Sequence, residues 1–207
     1  MVGLVSTAAH VEGRVVEQER LAKDTYRLRI ECPEIARQIV PGQFFMVRDP
    51  RLTDPMLGRP FALLDVYEDS SGEVMGIDFG FVAIGKMTRL MTSWVPGDPC
   101  EIWGPLGNGF PVPDGRRLCL VAGGIGQTPF RAVAQEALGL RSYGRPNVKR
   151  PSSLTMCYGV RSQEYLAFLD WFDLPGLKVN VATDNGTAGH AGYVTQLLQA
   201  EFDSAEP

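Results

Sequence analysis

The feature that most constrains this chain is a change of pattern at Pro111-Val112-Pro113-Asp114-Gly115. Before it, short alternating apolar runs are separated by turn residues. After it, short continuous apolar runs alternate with stretches of helical spacing. The first pattern builds antiparallel sheets and barrels, and the second builds βαβ units on a parallel sheet. The chain has 207 residues, so each half is long enough to bury a core of its own. The expected architecture is a two-domain β + α/β protein. An antiparallel β-barrel covers residues 1–113, and an α/β domain with a parallel sheet covers residues 114–207.

In the first half, strands are expected at Val11 to Glu17, Thr25 to Glu31, Phe44 to Arg48, Phe61 to Tyr67, Val74 to Val82 and Cys100 to Trp103. Pro41-Gly42, Asp69-Ser70-Ser71-Gly72 and Pro96-Gly97 supply turns. One interruption, Lys86 to Trp94, has helical spacing with Met87, Leu90, Met91 and Trp94 on one face. The barrel is expected to be closed or nearly closed. In the second half, strands are expected at Leu118 to Ala122, Leu154 to Val160 and Leu177 to Ala182. Helices are expected at Thr128 to Leu140, Ser162 to Phe172 and Tyr193 to about Phe202, and the basic stretch Arg141 to Pro151 reads as a surface loop.

Several segments carry chemistry. In Gly58-Arg59-Pro60-Phe61-Ala62, the proline restrains an arginine whose planar fork suits a phosphate, although a solvated arginine on an edge strand reads the same way. Ala83-Ile84-Gly85-Lys86-Met87-Thr88 places a glycine, a charge and a hydroxyl at a helix start, where backbone N–H groups favour an anion. Gly104-Pro105-Leu106-Gly107-Asn108-Gly109-Phe110 is a tight loop able to approach a ligand or a neighbouring domain closely. Val121-Ala122-Gly123-Gly124-Ile125-Gly126-Gln127-Thr128-Pro129 lies between a buried strand and a helix, the setting for a loop over a dinucleotide pyrophosphate. Asp184-Asn185-Gly186-Thr187 follows the third strand, where ligands of open α/β sheets collect, and is also a natural Asx-type turn. Arg161-Ser162 holds the equivalent place after the second strand, where an arginine could touch an adenosine ribose or a 2′-phosphate, although such an arginine is more often simply solvated.

Composition narrows the field. A formal net charge of −4 argues against nucleic acid as the main partner. No apolar run approaches the ~18 residues that cross a bilayer, and the N-terminus lacks the features of a signal peptide, so a cytoplasmic protein with no membrane partner is expected. Cys32, Cys100, Cys119 and Cys157 are scattered without a CxxC pair and read as reduced, half-buried core residues. His10 and His190 read as surface or loop positions. No Ser/His/Asp, Cys/His or metal constellation is visible, and no side chain is expected to be catalytic.

Taken in order, GRPFALLDV, GPLGNGF, LVAGGIGQTPF and ATDNGTAGHAGYVT resemble the ferredoxin-reductase superfamily. More narrowly, they resemble the electron transfer subunits of bacterial dihydroorotate dehydrogenase, over essentially the whole chain. The resemblance implies an FAD-binding barrel, with Arg59, Pro60, Phe61 and Ala62 at the flavin ring and its phosphate side. It places Gly80, Phe81 and Val82 on the next flavin-contacting strand, and Gly85, Met87 and Thr88 at the pyrophosphate. Gly123, Gly124, Gly126 and Thr128 belong to the nicotinamide nucleotide loop, with Asp184 beyond the third strand. It implies NADH as redox partner of the flavin and a hetero-oligomer with a dihydroorotate dehydrogenase catalytic subunit of pyrimidine biosynthesis. Arg161 favours NADPH and the resemblance favours NADH, so that choice stays open.

The chain departs from the family pattern at Ala62, where a hydroxyl is common, at Val82, where arginine is common, and at Met87, where glycine is common. The family's C-terminal cysteine cluster for a [2Fe–2S] centre has no counterpart, because no cysteine follows Cys157. Three parallel strands are expected where the related fold has five. The first of them then has an unpaired edge, which implies a fragment, a shortened form, or an edge covered by a partner. Two alternatives remain: a reductase of another kind (a hydrogenase or glutamate synthase subunit, or a free flavin reductase), and a non-catalytic assembly subunit that keeps the barrel for docking.

Overall fold

The computed structural model of the chain describes residues 8–204. Its first half is a seven-stranded antiparallel sheet. The strands are β1 (Ala9–Ala22), β2 (Thr25–Glu31), β3 (Phe44–Arg48), β4 (Arg59–Ala62), β5 (Asp65–Glu68), β6 (Val74–Val82) and β7 (Pro99–Leu106). Two short helices are inserted, α1 (Pro33–Ala36) and α2 (Lys86–Met91). The strand order is β4-β3-β7-β1-β2-β6-β5. Register shifts place extra residues in β1, in β7 opposite β3, and in β6 opposite β5; such bulges bend strands and curl a sheet upon itself.

The curl brings the two edges together without closing the ladder. Of the closed or nearly closed barrel expected, the nearly closed form is the one observed. The expected strand from Phe61 to Tyr67 breaks at Leu63-Leu64, where the chain passes from one edge to the other. Across that gap Leu64 donates its N–H to the Asp78 carbonyl at 2.9 Å, and the Phe61 and Phe79 rings lie 4.7 Å apart. Phe45, Leu28, Ile30 and Ile102 complete an apolar centre, with Ile35 of α1 and Met87 and Met91 of α2 packed into it. Burial of such side chains contributes about 1.5–3 kcal/mol each.

The second half contains β8 (Leu118–Gly123), α3 (Phe130–Leu138), β9 (Leu154–Val160), β10 (Leu177–Thr183), β11 (His190–Ala191) and α4 (Val194–Asp203). The sheet is parallel, in the order β11-β10-β9-β8. A fourth strand thus joins the three expected ones. It is only two residues long and follows a Gly-rich turn, which hides it from any periodicity. Among the described residues β8 pairs with β9 alone. A short 3-10 turn, Gly124–Gln127, precedes α3, so the helix starts at Phe130.

The expected helix from Ser162 to Phe172 does not form. Two 3-10 turns, Gln163–Tyr165 and Leu169–Phe172, replace it. Between them Leu166 is extended, and Phe168 takes a left-handed φ of 65° that no helix tolerates. Tertiary packing overrides the local spacing here. Ala167 and Phe168 are buried, and the Ala167 N–H donates to the Tyr158 hydroxyl at 3.3 Å.

The cysteines also depart from the uniform expectation. Cys32, Cys100 and Cys157 are buried, whereas Cys119 is exposed on the one-sided strand β8. His10 and His190 are exposed and lie on strands. Among the described residues no helix is long and apolar enough to cross a membrane.

The two halves exchange side chains. Leu64, from the turn between β4 and β5, packs in the core of the α/β half. Ala132, from α3, packs in the core of the curled sheet.

Candidate functional site

A cleft of about 650 Å³ opens at the gap in the curled sheet. One wall is β4. Pro60 is tolerated there because β4 is an edge strand with no ladder partner on its outer side. Phe61 is buried and anchors the strand, Ala62 is half-buried, and Arg59 and Pro60 stand exposed at the mouth. The Arg59 guanidinium donates to the Leu57 carbonyl at 2.9 Å. The floor is the end of β6, where Phe81 is fixed by stacking on Tyr26 at 5.5 Å. Gly80 and Val82 flank it on the same cleft.

The start of α2 forms the next wall. Gly85 donates its N–H to the Thr88 hydroxyl at 3.0 Å, so that hydroxyl is engaged in capping. Met87 turns its side chain into the core, 1% exposed, and Lys86 pairs with Asp54. What remains for a ligand is the first-turn backbone, whose N–H groups have no partner within the helix. The last wall comes from the α/β half, where Gly126, Thr128, Ile125 and Pro129 face the same space.

A second cleft of about 640 Å³ lies beyond it, where the carboxyl ends of β8, β9 and β10 converge. Gly123, Gly124, Arg161 and Asp184 line it, together with Tyr165, Tyr193 and Asp24. Val82 and Ile84 belong to both clefts and form the wall between them. A Cβ built on Gly123, Gly124 or Gly126 meets nothing within 4 Å. Backbone at these positions is therefore open to a ligand. The Asx-type turn exists alongside: Asn185 accepts the Thr187 hydroxyl at 2.7 Å and the Thr187 N–H at 3.2 Å.

The structure gathers every expected binding residue onto the linings of two adjoining clefts. Gly80 is the exception in kind, since its missing side chain makes room for Thr128 and Phe168 of the other half. The expected Gly104–Phe110 loop is strand in its first three residues, which finish β7, and the segment lies outside both clefts and braces the junction. Gln43 donates to the Gly107 carbonyl at 2.8 Å, and the Phe110 ring lies 5.8 Å from Phe130 on α3. Asp24, Tyr165 and Tyr193 also line the second cleft and are not legible as site residues in the sequence, because single residues in turns carry no pattern.

No family model matches the chain. It is 31% identical over 193 residues to the electron transfer subunit of dihydroorotate dehydrogenase B (NAD(+)) from Desulforamulus reducens. That match covers 93% of this chain and 68% of the relative. The corresponding subunit from Bacillus caldolyticus is 33% identical over 195 residues, covering 91% of this chain and 70% of its own length. The chain belongs to the family of dihydroorotate dehydrogenase B electron transfer subunits. It spans about two thirds of the length of these relatives.

Solved structures share the fold of this family member. One is an NADH-dependent reduced ferredoxin-NADP oxidoreductase described for flavin-based electron bifurcation, with a TM-score of 0.73 at 23% identity. It covers 99% of this chain and 66% of its own. Another is a ferredoxin NADP+ reductase from Neisseria gonorrhoeae with bound FAD and NADP, with a TM-score of 0.69 at 17% identity, covering 93% of this chain and 76% of its own.

Proposed function

We propose that the chain holds FAD in the first cleft, receives NADH in the second, and passes electrons between NADH and a dihydroorotate dehydrogenase catalytic subunit. The observation that carries this reading is a pair of adjoining clefts that share Val82 and Ile84 in their linings. Ligands seated in two clefts that share lining residues lie close enough for their edges to meet. Family membership supports the electron transfer role, and the relatives, subunits of an NAD(+)-linked dihydroorotate dehydrogenase B, support the nucleotide and the dehydrogenase.

The residues fit a flavin dinucleotide. The first cleft is lined mainly by apolar groups, Phe61, Ala62, Phe81 and Val82 among them, with Arg59 and the α2 first turn at its polar end. A flat ring system suits the former and a pyrophosphate the latter. Arg59 and the α2 backbone would hold the phosphates, while Gly123 and Gly124 would let the nicotinamide nucleotide lie against the strand ends. A bound flavin supplies the exchange between two-electron and one-electron chemistry. The protein's own part is to orient both ligands and keep water from the gap between them. The residues do not fit an iron–sulfur centre. Among the described residues no group of three or more His, Cys, Asp or Glu could hold a metal.

The test is reconstitution of the purified chain with FAD, followed by anaerobic addition of NADH or NADPH. A stoichiometric yellow complex bleached by NADH is expected. A chain that stays colourless at saturating FAD overturns the reading. A preference for NADPH would assign the exposed Arg161 to a 2′-phosphate. Co-purification with a dihydroorotate-oxidising subunit tests the partner.

A further inference from the structure

The two halves meet through a polar cluster centred on one carboxylate, and no step proposed above uses it. Asp65 opens β5 and is 6% exposed. Its Oδ1 accepts the Val66 N–H at 2.8 Å and the Tyr143 hydroxyl at 3.0 Å. Its Oδ2 accepts the Gln135 amide at 2.6 Å, with Arg131 Nε at 3.4 Å. Arg141 Nη1 lies 3.4 Å from Oδ1 and also bonds the Val66 carbonyl. All but the Val66 N–H come from the α/β half. Arg131 and Gln135 sit one turn apart on α3, and Arg141 and Tyr143 on the loop that follows. Tyr143 is pushed above the usual phenol range, first by burial and then by Asp65 beside it, so its hydroxyl remains a donor. Hydrogen bonds to a buried charge are the strong ones, and the charge in turn requires them.

The cluster sits at the root of the first cleft. On one side, Asp65 follows Ala62 of the cleft wall by three residues. On the other, Arg131 follows Thr128 of the opposing wall by three residues. A carboxylate gripping α3 at Arg131 and Gln135 therefore sets how closely the Ile125–Thr128 loop approaches β4. We infer that Asp65 is a positioning residue that fixes the gap across the cleft, and with it the approach of nicotinamide to flavin. This rests on the function proposed above. Hydride transfer requires reacting atoms about 3–3.5 Å apart, and a misplacement near 1 Å lowers the rate on the order of 100-fold.

Asp65→Asn keeps the shape and removes the charge, and Tyr143→Phe removes a single donor. Four quantities are measured on the full chain: FAD affinity, the limiting rate of anaerobic reduction by NADH, its half-saturation, and amide hydrogen exchange over residues 123–130. Asp65→Asn is expected to leave FAD affinity within about threefold and NADH half-saturation little changed. It should lower the limiting rate by about tenfold or more and speed exchange over 123–130. Tyr143→Phe should move the same readouts by less, and it carries the test if Asp65→Asn fails to fold. A wild-type limiting rate in both variants, unchanged exchange over 123–130, or a parallel loss of FAD affinity overturns the inference. If wild-type protein binds FAD but NADH does not reduce it, the proposed electron donor is wrong, and the exchange measurement still decides the role of Asp65.

Discussion

Gly80→Ala tests how the two halves are fitted together. Gly80 lies within β6, and an ideal Cβ there would stand 2.6 Å from Thr128 Cγ2 and 2.7 Å from Phe168 Cζ. Carbon atoms pack at about 3.5–4.0 Å, so a gap of roughly 1 Å must be forced open. Neither neighbour yields easily. The Thr128 hydroxyl is bound to the Ile125 carbonyl at 3.0 Å, and Phe168 is 4% exposed. Overpacking of this kind costs about 1–3 kcal/mol. For a chain of this size each kcal/mol lowers Tm by about 2–4 °C, which predicts a fall of about 2–12 °C. Circular dichroism at far- and near-ultraviolet wavelengths measures it. Thr128→Ser removes the offending methyl, so the double variant should recover part of the loss, with a coupling of about 0.5–2 kcal/mol. A Tm within a degree of wild type for Gly80→Ala, or strictly additive effects in the double variant, would refute the packing argument.

Other outcomes follow from the same structure. Arg59→Ala should weaken FAD binding by about 10–100-fold, the worth of a hydrogen bond to a charged group, without lowering Tm. Unchanged affinity in a flavin fluorescence titration would remove Arg59 from the site. Burial raises the Cys100 thiol to about 12 and the Cys157 thiol to about 11, so neither forms thiolate at neutral pH. Iodoacetamide at pH 8 should therefore modify exposed Cys119 first, and mass spectrometry showing early modification of Cys100 would contradict this. Asp49 is held below the usual carboxylate range by its hydrogen-bonded pair with Arg51. Its contribution to stability is then full above an unfolded pKa near 3.9 and lost as pH falls through the lower folded value. Asp49→Asn should flatten that acid limb in denaturant melts at successive pH values, and an unaltered slope would argue against the pair.

The expected residues shared two clefts because the signals behind them are local. Gly85 before a helix, Arg59 before a proline and Gly123-Gly124 after a buried strand each declare a backbone geometry within a few residues. Sequence pattern and structure part where distant segments of the chain decide the local conformation. The stretch Ser162 to Phe172 has helical spacing, yet Phe168 is drawn out of any helix by its place between the halves. Leu63-Leu64 reads as uninterrupted strand, although the chain crosses there from one sheet edge to the other. β11 is too short to carry a pattern, and its pairing with β10 depends on the fold already being formed. The Asp65 cluster joins residues 66 to 78 positions apart and leaves no trace in any window of sequence.

The reciprocal placement of Leu64 and Ala132 bears on how such a protein can be rebuilt. Each half carries a plug that fits a socket in the other, so the halves are not interchangeable cassettes. Grafting the α/β half of a relative onto this sheet transplants that relative's own residue at the Ala132 position, and one larger than alanine would strike the sheet's core. The incoming half must also supply a hollow for Leu64. Recombination between relatives therefore succeeds only when this plug-and-socket pair travels together, even though its two members lie on opposite sides of any crossover in the linker.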